Sequence, residues 1–273
     1  MQNFEQKYYE SDQFWKAGMV TDEANLNRLN TSIALIPAGT KTLADIGCGN
    51  GIFAAMLQQQ KPEISSISVD RSETALQHVK TKSQVGDLIS LPFADQSFDC
   101  VTCLQVLEHI PYPVYDTVLQ ELSRIAAKNI IISVPFEENT ADDITRCPAC
   151  HATFNIELHL RNYFNADIRQ LFSRFGFTCI SQQLIQKQNQ VYLGIDTYIR
   201  FRKRHLVNKG KFQSPLCPVC GYENPEFLLN SSSNTGQNSV AGQPGSGFKA
   251  LIQKYWPKTT QIASWVIAVY EKA

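Results

Sequence analysis

The sequence has no net charge and no long hydrophobic run, and each absence excludes a class of function. Its 25 lysine and arginine residues balance 25 aspartate and glutamate residues, so no global field attracts nucleic acid or an anionic membrane. No apolar run reaches the roughly 18 residues of a membrane span. The N-terminus also lacks the basic and then apolar pattern of a signal peptide. We therefore expect a soluble, cytoplasmic protein without a membrane span.

The cysteines lack the pattern of a disulfide-bonded secreted domain. Four of the eight form two Cys-Pro-x-Cys pairs, which are Cys147 with Cys150 and Cys217 with Cys220. Two such pairs supply four thiolates, the ligand set of a structural zinc ion. The sequence thus predicts a metal site, with zinc expected and iron as the alternative. A redox pair, or a cysteine and histidine site that uses His151 or His159, also remains open.

One predicted turn contains three of the 14 glycines. Gly47, Gly49 and Gly51 alternate directly after the apolar stretch that contains Asp45. Apolar residues suit a buried strand, and glycines suit a tight turn whose backbone approaches a ligand. The predicted helix that follows, 52–60, directs its unpaired N–H groups at this loop. The spacing is not the dinucleotide pattern G-x-G-x-x-G, because Ile52 occupies the third glycine position.

Further polar residues follow the next predicted strands. Asp70 ends a strand predicted at 64–69, where a carboxylate can accept hydrogen bonds from ribose hydroxyls. Asp87 follows a short strand near 83–85, and Glu108 with His109 follows a strand at 98–104. Open α/β sheets bind ligands at the carboxyl ends of their strands, so we predict the binding site at this edge of the sheet. For Glu108 and His109 a helix-start acid and a packed histidine are the alternative interpretations.

These motifs, LADIGCGNG (43–51), Asp70, Gly86-Asp87 and LPFADQSFDCVTCLQVLEHI (91–110), resemble the class I S-adenosylmethionine-dependent methyltransferases. The last motif resembles the ubiquinone-biosynthesis-like subgroup, methyltransferase type 11. The resemblance covers 43–135 and implies an α/β fold with a doubly wound, seven-stranded Rossmann-like sheet. It also implies S-adenosylmethionine as cofactor. The cofactor-binding residues that it implies are Asp45, Gly47, Cys48, Gly49, Gly51, Asp70, Arg71, Asp87, Leu88, Gln105 and Trp15; core packing is the alternative role of the N-terminal aromatics.

The remaining strands predict where the metal site lies. The fifth and sixth strands are expected at 130–134 and 177–185, and the family typically inserts an antiparallel seventh between them, for which we predict 262–270. The loop after the fifth strand and an insertion after the sixth then emerge at the same edge of the sheet. The predicted units are an N-terminal helical cap (1–36), a core (37–135, 161–186 and 259–273) and a zinc-binding lid at the carboxyl edge (136–160 and 187–258, with a linker at 230–247).

The expected activity is methyl transfer from S-adenosylmethionine to a small-molecule or glycan acceptor, which can bear a phosphate, with a hydroxyl as the acceptor atom. His109, Glu108 and His159 are the candidate bases, in that order. The alternative is an RNA or protein methyltransferase whose zinc ribbon and basic stretch, 200–211, bind the target. Against nucleic acid stand the neutral charge and the missing Asn/Asp-Pro-Pro-aromatic motif after the fourth strand. The intact glycine and acid motifs argue against a non-catalytic scaffold.

Overall fold

The structure is a computed structural model that describes residues 9–12, 15, 23–138, 140, 144–186, 212, 214, 216–224 and 263–273. The sequence also predicts helices at 195–206 and 248–255. Both of them, like the basic stretch and the 230–247 linker, lie outside these residues. No helix within the described part is long and apolar enough to cross a membrane.

The described chain contains nine strands and five α-helices. The strands are β1 (Thr42–Ile46), β2 (Ser65–Asp70), β3 (Ser83–Val85), β4 (Phe98–Leu104), β5 (Ala126–Pro135), β6 (Ile144–Arg146), β7 (Thr153–Asn155), β8 (Phe177–Gln186) and β9 (Ala263–Lys272). The helices are α1 (Glu23–Ala34), α2 (Ile52–Gln60), α3 (Glu73–Leu76), α4 (Tyr112–Ile125) and α5 (Asn165–Gln170), with 3-10 turns at Leu107–His109 and Ser173–Phe175.

Seven of these strands form one sheet in the order β3-β2-β1-β4-β5-β9-β8. The first five pair in parallel, whereas β9 pairs antiparallel with both β5 and β8. The prediction that the last strand of the chain inserts between the fifth and sixth strands of the sheet is confirmed. Because β5 and β8 therefore run parallel, the segments after both begin at the same edge of the sheet.

Side chains of β5 alternate between two hydrophobic layers, as the doubly wound fold requires. Ile130 and Ile132 belong to the layer that also holds Leu122 of α4, while Ile131 packs with Ile33 of α1 in the other layer. All five side chains are essentially inaccessible to solvent. The sheet is thus covered on both faces, and its carboxyl edge is left for the site.

Two predicted helices are shorter than expected. The sequence predicts a helix over 73–80 with Ser72 as its N-cap. Ser72 caps α3 by accepting a hydrogen bond from the Ala75 N–H, but the α-helix ends at Leu76. The Val79 N–H bonds the Leu76 carbonyl in a tighter turn, which brings the Val79 side chain against the glycine loop. The sequence also predicts a helix over 165–175, of which the α-helical part stops at Gln170 and the last turn is the 3-10 turn.

Candidate functional site

The loop between β1 and α2 has a backbone that only glycine adopts readily. Gly47, Gly49 and Gly51 have φ angles of 74°, 54° and 78°. A Cβ added to Gly47 would lie 2.5 Å from Cγ2 of Val106, and one added to Gly51 would lie 2.9 Å from Cγ1 of Val79. The loop backbone is therefore held tightly against the segment that follows β4.

Asp45 lies beneath this loop at the end of β1. It is 3% exposed, and its Oδ1 accepts a 2.8 Å hydrogen bond from the Thr102 hydroxyl. Its Oδ2 has no hydrogen-bond partner among the described residues. Burial raises the pKa of Asp45 to about 7, against the opposing effect of the Thr102 hydrogen bond. Asp45 therefore retains an acceptor oxygen toward the loop, while the role of Thr102 had no signal in the sequence.

Asp70, at the end of β2, connects the loop to the second strand. Its Oδ2 accepts a 2.8 Å hydrogen bond from the Gly49 N–H, and its Oδ1 accepts a 2.9 Å bond from the Ser72 N–H. Burial raises the pKa of Asp70, and these two N–H groups oppose that rise. A carboxylate has about four lone-pair sites, so Asp70 keeps acceptor capacity for two hydroxyl groups.

The other predicted cofactor residues lie around the same edge of the sheet. Asp87 and the buried Leu88 follow Gly86, whose N–H donates to the Asp70 carbonyl. The Cys48 N–H donates to the Val69 carbonyl, and the Gln105 amide donates to the Ser133 hydroxyl. These contacts bring residues from β1 to β4 together at one edge.

Tyr9 joins the N-terminal segment to this edge. Its carbonyl accepts hydrogen bonds from Trp15 Nε1 at 2.6 Å and from the Ser72 hydroxyl at 2.8 Å. The Arg71 guanidinium lies 5.7 Å from the Tyr9 ring, and the His109 ring lies 6.1 Å from it. The buried Trp15 is thus linked through Tyr9 to the segment that follows Asp70, and the Tyr9 ring is near both Arg71 and His109.

The three candidate bases, Glu108, His109 and His159, form one cluster. One ligand atom from each lies within 4.8 Å of those of the other two. Glu108 is completely buried, and neither carboxylate oxygen has a hydrogen-bond partner in the described part of the chain. Burial raises the pKa of Glu108 to about 7, while the nearby charge of His159 opposes the rise. The structure thus brings together residues that are 50 positions apart in sequence.

The two histidines have different electrostatic environments. Burial and repulsion from His159 lower the pKa of His109 to about 3, and an imidazole this acidic is a weak general base. Burial also lowers the pKa of His159, but the hydrogen bond to Glu138 and the charge of Glu108 outweigh this effect and raise it. Sequence analysis missed Glu138, although its place three residues after β5 put it at the same edge.

The four predicted metal-binding cysteines also meet. Their sulfur atoms all lie within 4.8 Å of one another, and the Cys147–Cys220 and Cys150–Cys217 sulfur pairs are each 3.7 Å apart. Four sulfurs arranged tetrahedrally at about 2.3 Å from a zinc ion would be about 3.8 Å apart. The observed spacing therefore fits a zinc ion. It is far longer than the roughly 2.05 Å of a disulfide bond.

The two Cys-Pro-x-Cys turns have the same backbone design. The His151 N–H donates to the Cys147 carbonyl, as the Gly221 N–H donates to the Cys217 carbonyl. His151 and Gly221 both have left-handed φ angles, 62° and 77°. His151 therefore occupies the glycine position of its turn and is exposed, while the cysteines alone form the four-sulfur group.

The cysteine group is joined to the candidate bases through Leu158. Leu158 is buried in a small cluster with Cys147, Cys217 and Phe154, against which Tyr9 also packs. The Leu158 carbonyl lies 3.3 Å from His109 Nδ1, and His159 is the next residue. A structural change at the cysteines can therefore displace His109 and His159 through Leu158, which contacts both groups.

Comparison with known proteins agrees with this architecture. Residues 44–134 match the methyltransferase domain family. An uncharacterized methyltransferase of Mycobacterium tuberculosis is 29% identical over 82 residues, which cover 28% of this chain and 42% of that protein. The ubiquinone biosynthesis O-methyltransferase of Stutzerimonas stutzeri is 28% identical over 99 residues, which cover 33% of this chain and 43% of that protein. The matched segments thus span less than half of either relative.

A solved structure extends the likeness in fold beyond the matched segment. The magnesium protoporphyrin IX methyltransferase of Synechocystis PCC 6803, with bound SAH, has a TM-score of 0.51 and 18% identity over 67% of this chain and 92% of that chain. The glycine loop, the acids that end β1 and β2, and the antiparallel last strand lie where the resemblance implied. Residues 44–134 of this chain therefore resemble the methyltransferase domain family, and the described sheet has the fold of a class I S-adenosylmethionine-dependent methyltransferase.

Proposed function

We propose that the protein transfers the methyl group of S-adenosylmethionine to a hydroxyl of a small-molecule or glycan acceptor. The observation that carries this proposal is the hydrogen bond from the Gly49 N–H to the Asp70 carboxylate. This bond holds the glycine loop and Asp70 together as one preformed unit, in which the Asp70 carboxylate would accept hydrogen bonds from the ribose hydroxyls. The name of the Stutzerimonas stutzeri relative, an O-methyltransferase, agrees with oxygen as the acceptor atom.

The residues around the unit have separate tasks in this reaction. Asp45, Asp70, Asp87 and the glycine loop would hold the cofactor, whose sulfonium supplies an already activated methyl group. The acceptor hydroxyl would bind on the side of His109 and Tyr9, in line with that methyl group. Its oxygen forms the new bond to carbon as the carbon–sulfur pair returns to sulfur, and the hydroxyl proton passes to solvent. Orientation and exclusion of water are then the main contributions of the protein.

Replacement of Asp70 tests cofactor binding directly. We expect Asp70→Ala to weaken binding of S-adenosylhomocysteine at least tenfold, since the loss of charged hydrogen bonds costs roughly 1.5–3 kcal/mol. Isothermal titration calorimetry measures the change. Asp116→Ala is the matched control, because Asp116 is exposed and pairs only with Arg174 among its described contacts. Equal affinities for Asp70→Ala and the parent protein would contradict the assignment.

We further propose that the four cysteines bind one structural zinc ion. Each C-x-x-C turn supplies two thiolates, and the sulfur spacing fits a tetrahedral ion. The ion would join the β6–β7 hairpin to residues 216–224, which also share a small apolar cluster with it. These segments would form the lid over the acceptor, as the order of the strands predicts. The balanced total charge favours the small-molecule acceptor over the RNA alternative, whose basic stretch lies outside the described residues.

A change of His151 distinguishes a four-cysteine site from one that uses this histidine. We expect His151→Gly to retain the zinc ion and to leave stability equal or raised by up to about 1 kcal/mol, because glycine relieves the left-handed φ of 62°. Zinc content and urea denaturation give the two readouts. Gly221→Ala, the reverse change at the equivalent position of the other turn, should destabilise. Loss of zinc from His151→Gly would show that His151 is a ligand.

A further inference from the structure

The structure assigns a second metal site to the cluster of Glu108, His109 and His159. We propose that these side chains bind a divalent transition-metal ion, separate from the four-cysteine site, which holds the oxygen of the methyl acceptor. The binding of the ion stands on the geometry of the cluster alone. Its role toward the acceptor rests on the proposed function.

The carboxylate of Glu108 carries the first step of the argument. It is completely buried, yet neither of its oxygens has a hydrogen-bond partner within the described residues. Its backbone carbonyl, by contrast, accepts a 2.8 Å bond from the Leu160 N–H. Buried carboxylates without partners are rare, because they lose hydration and gain nothing in return, unless they pair with a cation or coordinate a metal. We therefore expect a cation to bind the Glu108 carboxylate.

The histidines are oriented as metal ligands. His159 Nδ1 lies 2.5 Å from a Glu138 carboxylate oxygen, and His109 Nδ1 lies 3.3 Å from the Leu158 carbonyl. Each Nδ1 thus faces an oxygen acceptor and is assigned the proton on that basis. The lone pair of each ring is then on Nε2. A carboxylate or a backbone carbonyl that accepts from the second ring nitrogen is the usual support of a metal-binding histidine.

The dimensions and the ligand set agree with a single ion. Two atoms bound to one ion at about 2.1 Å are at most about 4.2 Å apart. One donor atom from each side chain, a ring nitrogen or a carboxylate oxygen, already lies within 4.8 Å of those of the other two, so side-chain rotations can complete the site. Two imidazoles and one carboxylate suit manganese, iron, cobalt or zinc, and they leave coordination positions open. An acceptor oxygen can occupy such a position.

The cluster lies beside the cofactor loop. Glu108 and His109 belong to the 3-10 turn that directly follows Val106, and Val106 is the residue that contacts Gly47. The Tyr9 ring is near both His109 and Arg71, and Arg71 follows Asp70 in sequence. An oxygen held by the ion would therefore be adjacent to the loop that binds the cofactor. The acceptor class follows: a molecule that presents an oxygen ligand rather than an amine alone.

Manganese titration followed by electron paramagnetic resonance tests the site without an acceptor. One equivalent of zinc per chain is added first, which the four thiolates bind in preference to two imidazoles and a carboxylate, and Mn²⁺ alone is then added, because Mn²⁺ favours nitrogen and oxygen ligands over thiolates. We expect about one tightly bound Mn²⁺ per chain. Glu108→Gln and His159→Ala should each weaken this binding by at least about tenfold. Glu137→Gln, the matched control, removes an exposed carboxylate next to Glu138 and should leave Mn²⁺ binding unchanged.

Two results would overturn the proposal: no bound Mn²⁺ in the zinc-filled protein, or equal Mn²⁺ affinity in the parent protein and Glu108→Gln. Circular dichroism of each variant verifies that it is folded, and two different ligand variants guard against one that is not. S-adenosylhomocysteine binding, measured on the same samples, separates this proposal from the proposed function. Cofactor binding without Mn²⁺ binding refutes only the metal site, whereas Mn²⁺ binding without cofactor binding refutes only the methyltransferase activity.

Discussion

In the Cys217→Ser variant we expect proteolysis within 144–159, and loss of bound zinc, while affinity for S-adenosylhomocysteine stays within about twofold of the parent value. Structural zinc supplies on the order of 10 kcal/mol of folding free energy in small metal-binding units. A serine hydroxyl is a poor replacement for a thiolate, so most of that energy should be lost. The cofactor loop is held by the Asp70 and Val106 contacts instead, neither of which involves a cysteine.

The same variant should lose acceptor methylation by more than about a hundredfold. Cys217 packs with Leu158, whose carbonyl faces His109, and the next residue is His159. Disorder at the cysteines would therefore misplace the acceptor side of the site, where a 1 Å error costs about a hundredfold in rate. Limited proteolysis, zinc analysis and calorimetry provide the readouts before any acceptor is known.

The control for this experiment is Cys179→Ser, the same chemical change at a half-buried cysteine of β8 outside the four-sulfur group. Cys179→Ser should keep its zinc and its resistance to protease. Chelation followed by added zinc should restore the parent protein and leave Cys217→Ser unrestored. The idea fails if protein purified under reducing conditions without chelator contains no metal, or if Cys217→Ser is as resistant as Cys179→Ser.

The parts of the fold that the sequence predicted best are those with local signals. The bounds of β4 and, approximately, those of α2 and β3 were predicted, because β4 is an apolar run and turn glycines lie next to α2 and β3. The position of β9 also followed from the sequence, but only through the family resemblance. Strand order depends on contacts between distant residues, which periodicity does not contain.

The candidate site likewise has features that the sequence indicated and features that depend on contacts between distant residues. The two cysteine pairs were predicted to meet, since parallel strands deliver their following loops to one edge, and the sulfurs do meet. By contrast, the Thr102 bond to Asp45 and the pairing of Glu138 with His159 depend on side-chain rotamers across strands. The early end of α3 has a similar origin, because Val79 packs on Gly51 instead of continuing the helix. Such tertiary contacts override local propensity without leaving a pattern in the sequence.

Gly47 connects this tertiary packing to cofactor binding, and we expect Gly47→Ala to lower the free energy of unfolding by about 2–5 kcal/mol. Two costs add: the left-handed φ of 74°, and the 2.5 Å approach of the new Cβ to Cγ2 of Val106. Because Gly47 belongs to the loop, cofactor affinity should fall as well, by more than the tenfold expected for Asp70→Ala. Urea denaturation and calorimetry measure the two effects.

A control and a second-site change separate the two costs. Gly39 has a similar φ of 82° but no atom within 4 Å of an added Cβ, so Gly39→Ala should show the backbone cost alone, about 1–2 kcal/mol. Adding Val106→Ala to Gly47→Ala removes both Cγ atoms and leaves Val106 Cβ at 3.4 Å, an ordinary contact. The steric part, measured against Val106→Ala alone, should then be recovered, while the backbone part remains. If Gly47→Ala were no more destabilising than Gly39→Ala, the cofactor loop would not be packed against the segment that carries Glu108 and His109, and the two halves of the site would be independent.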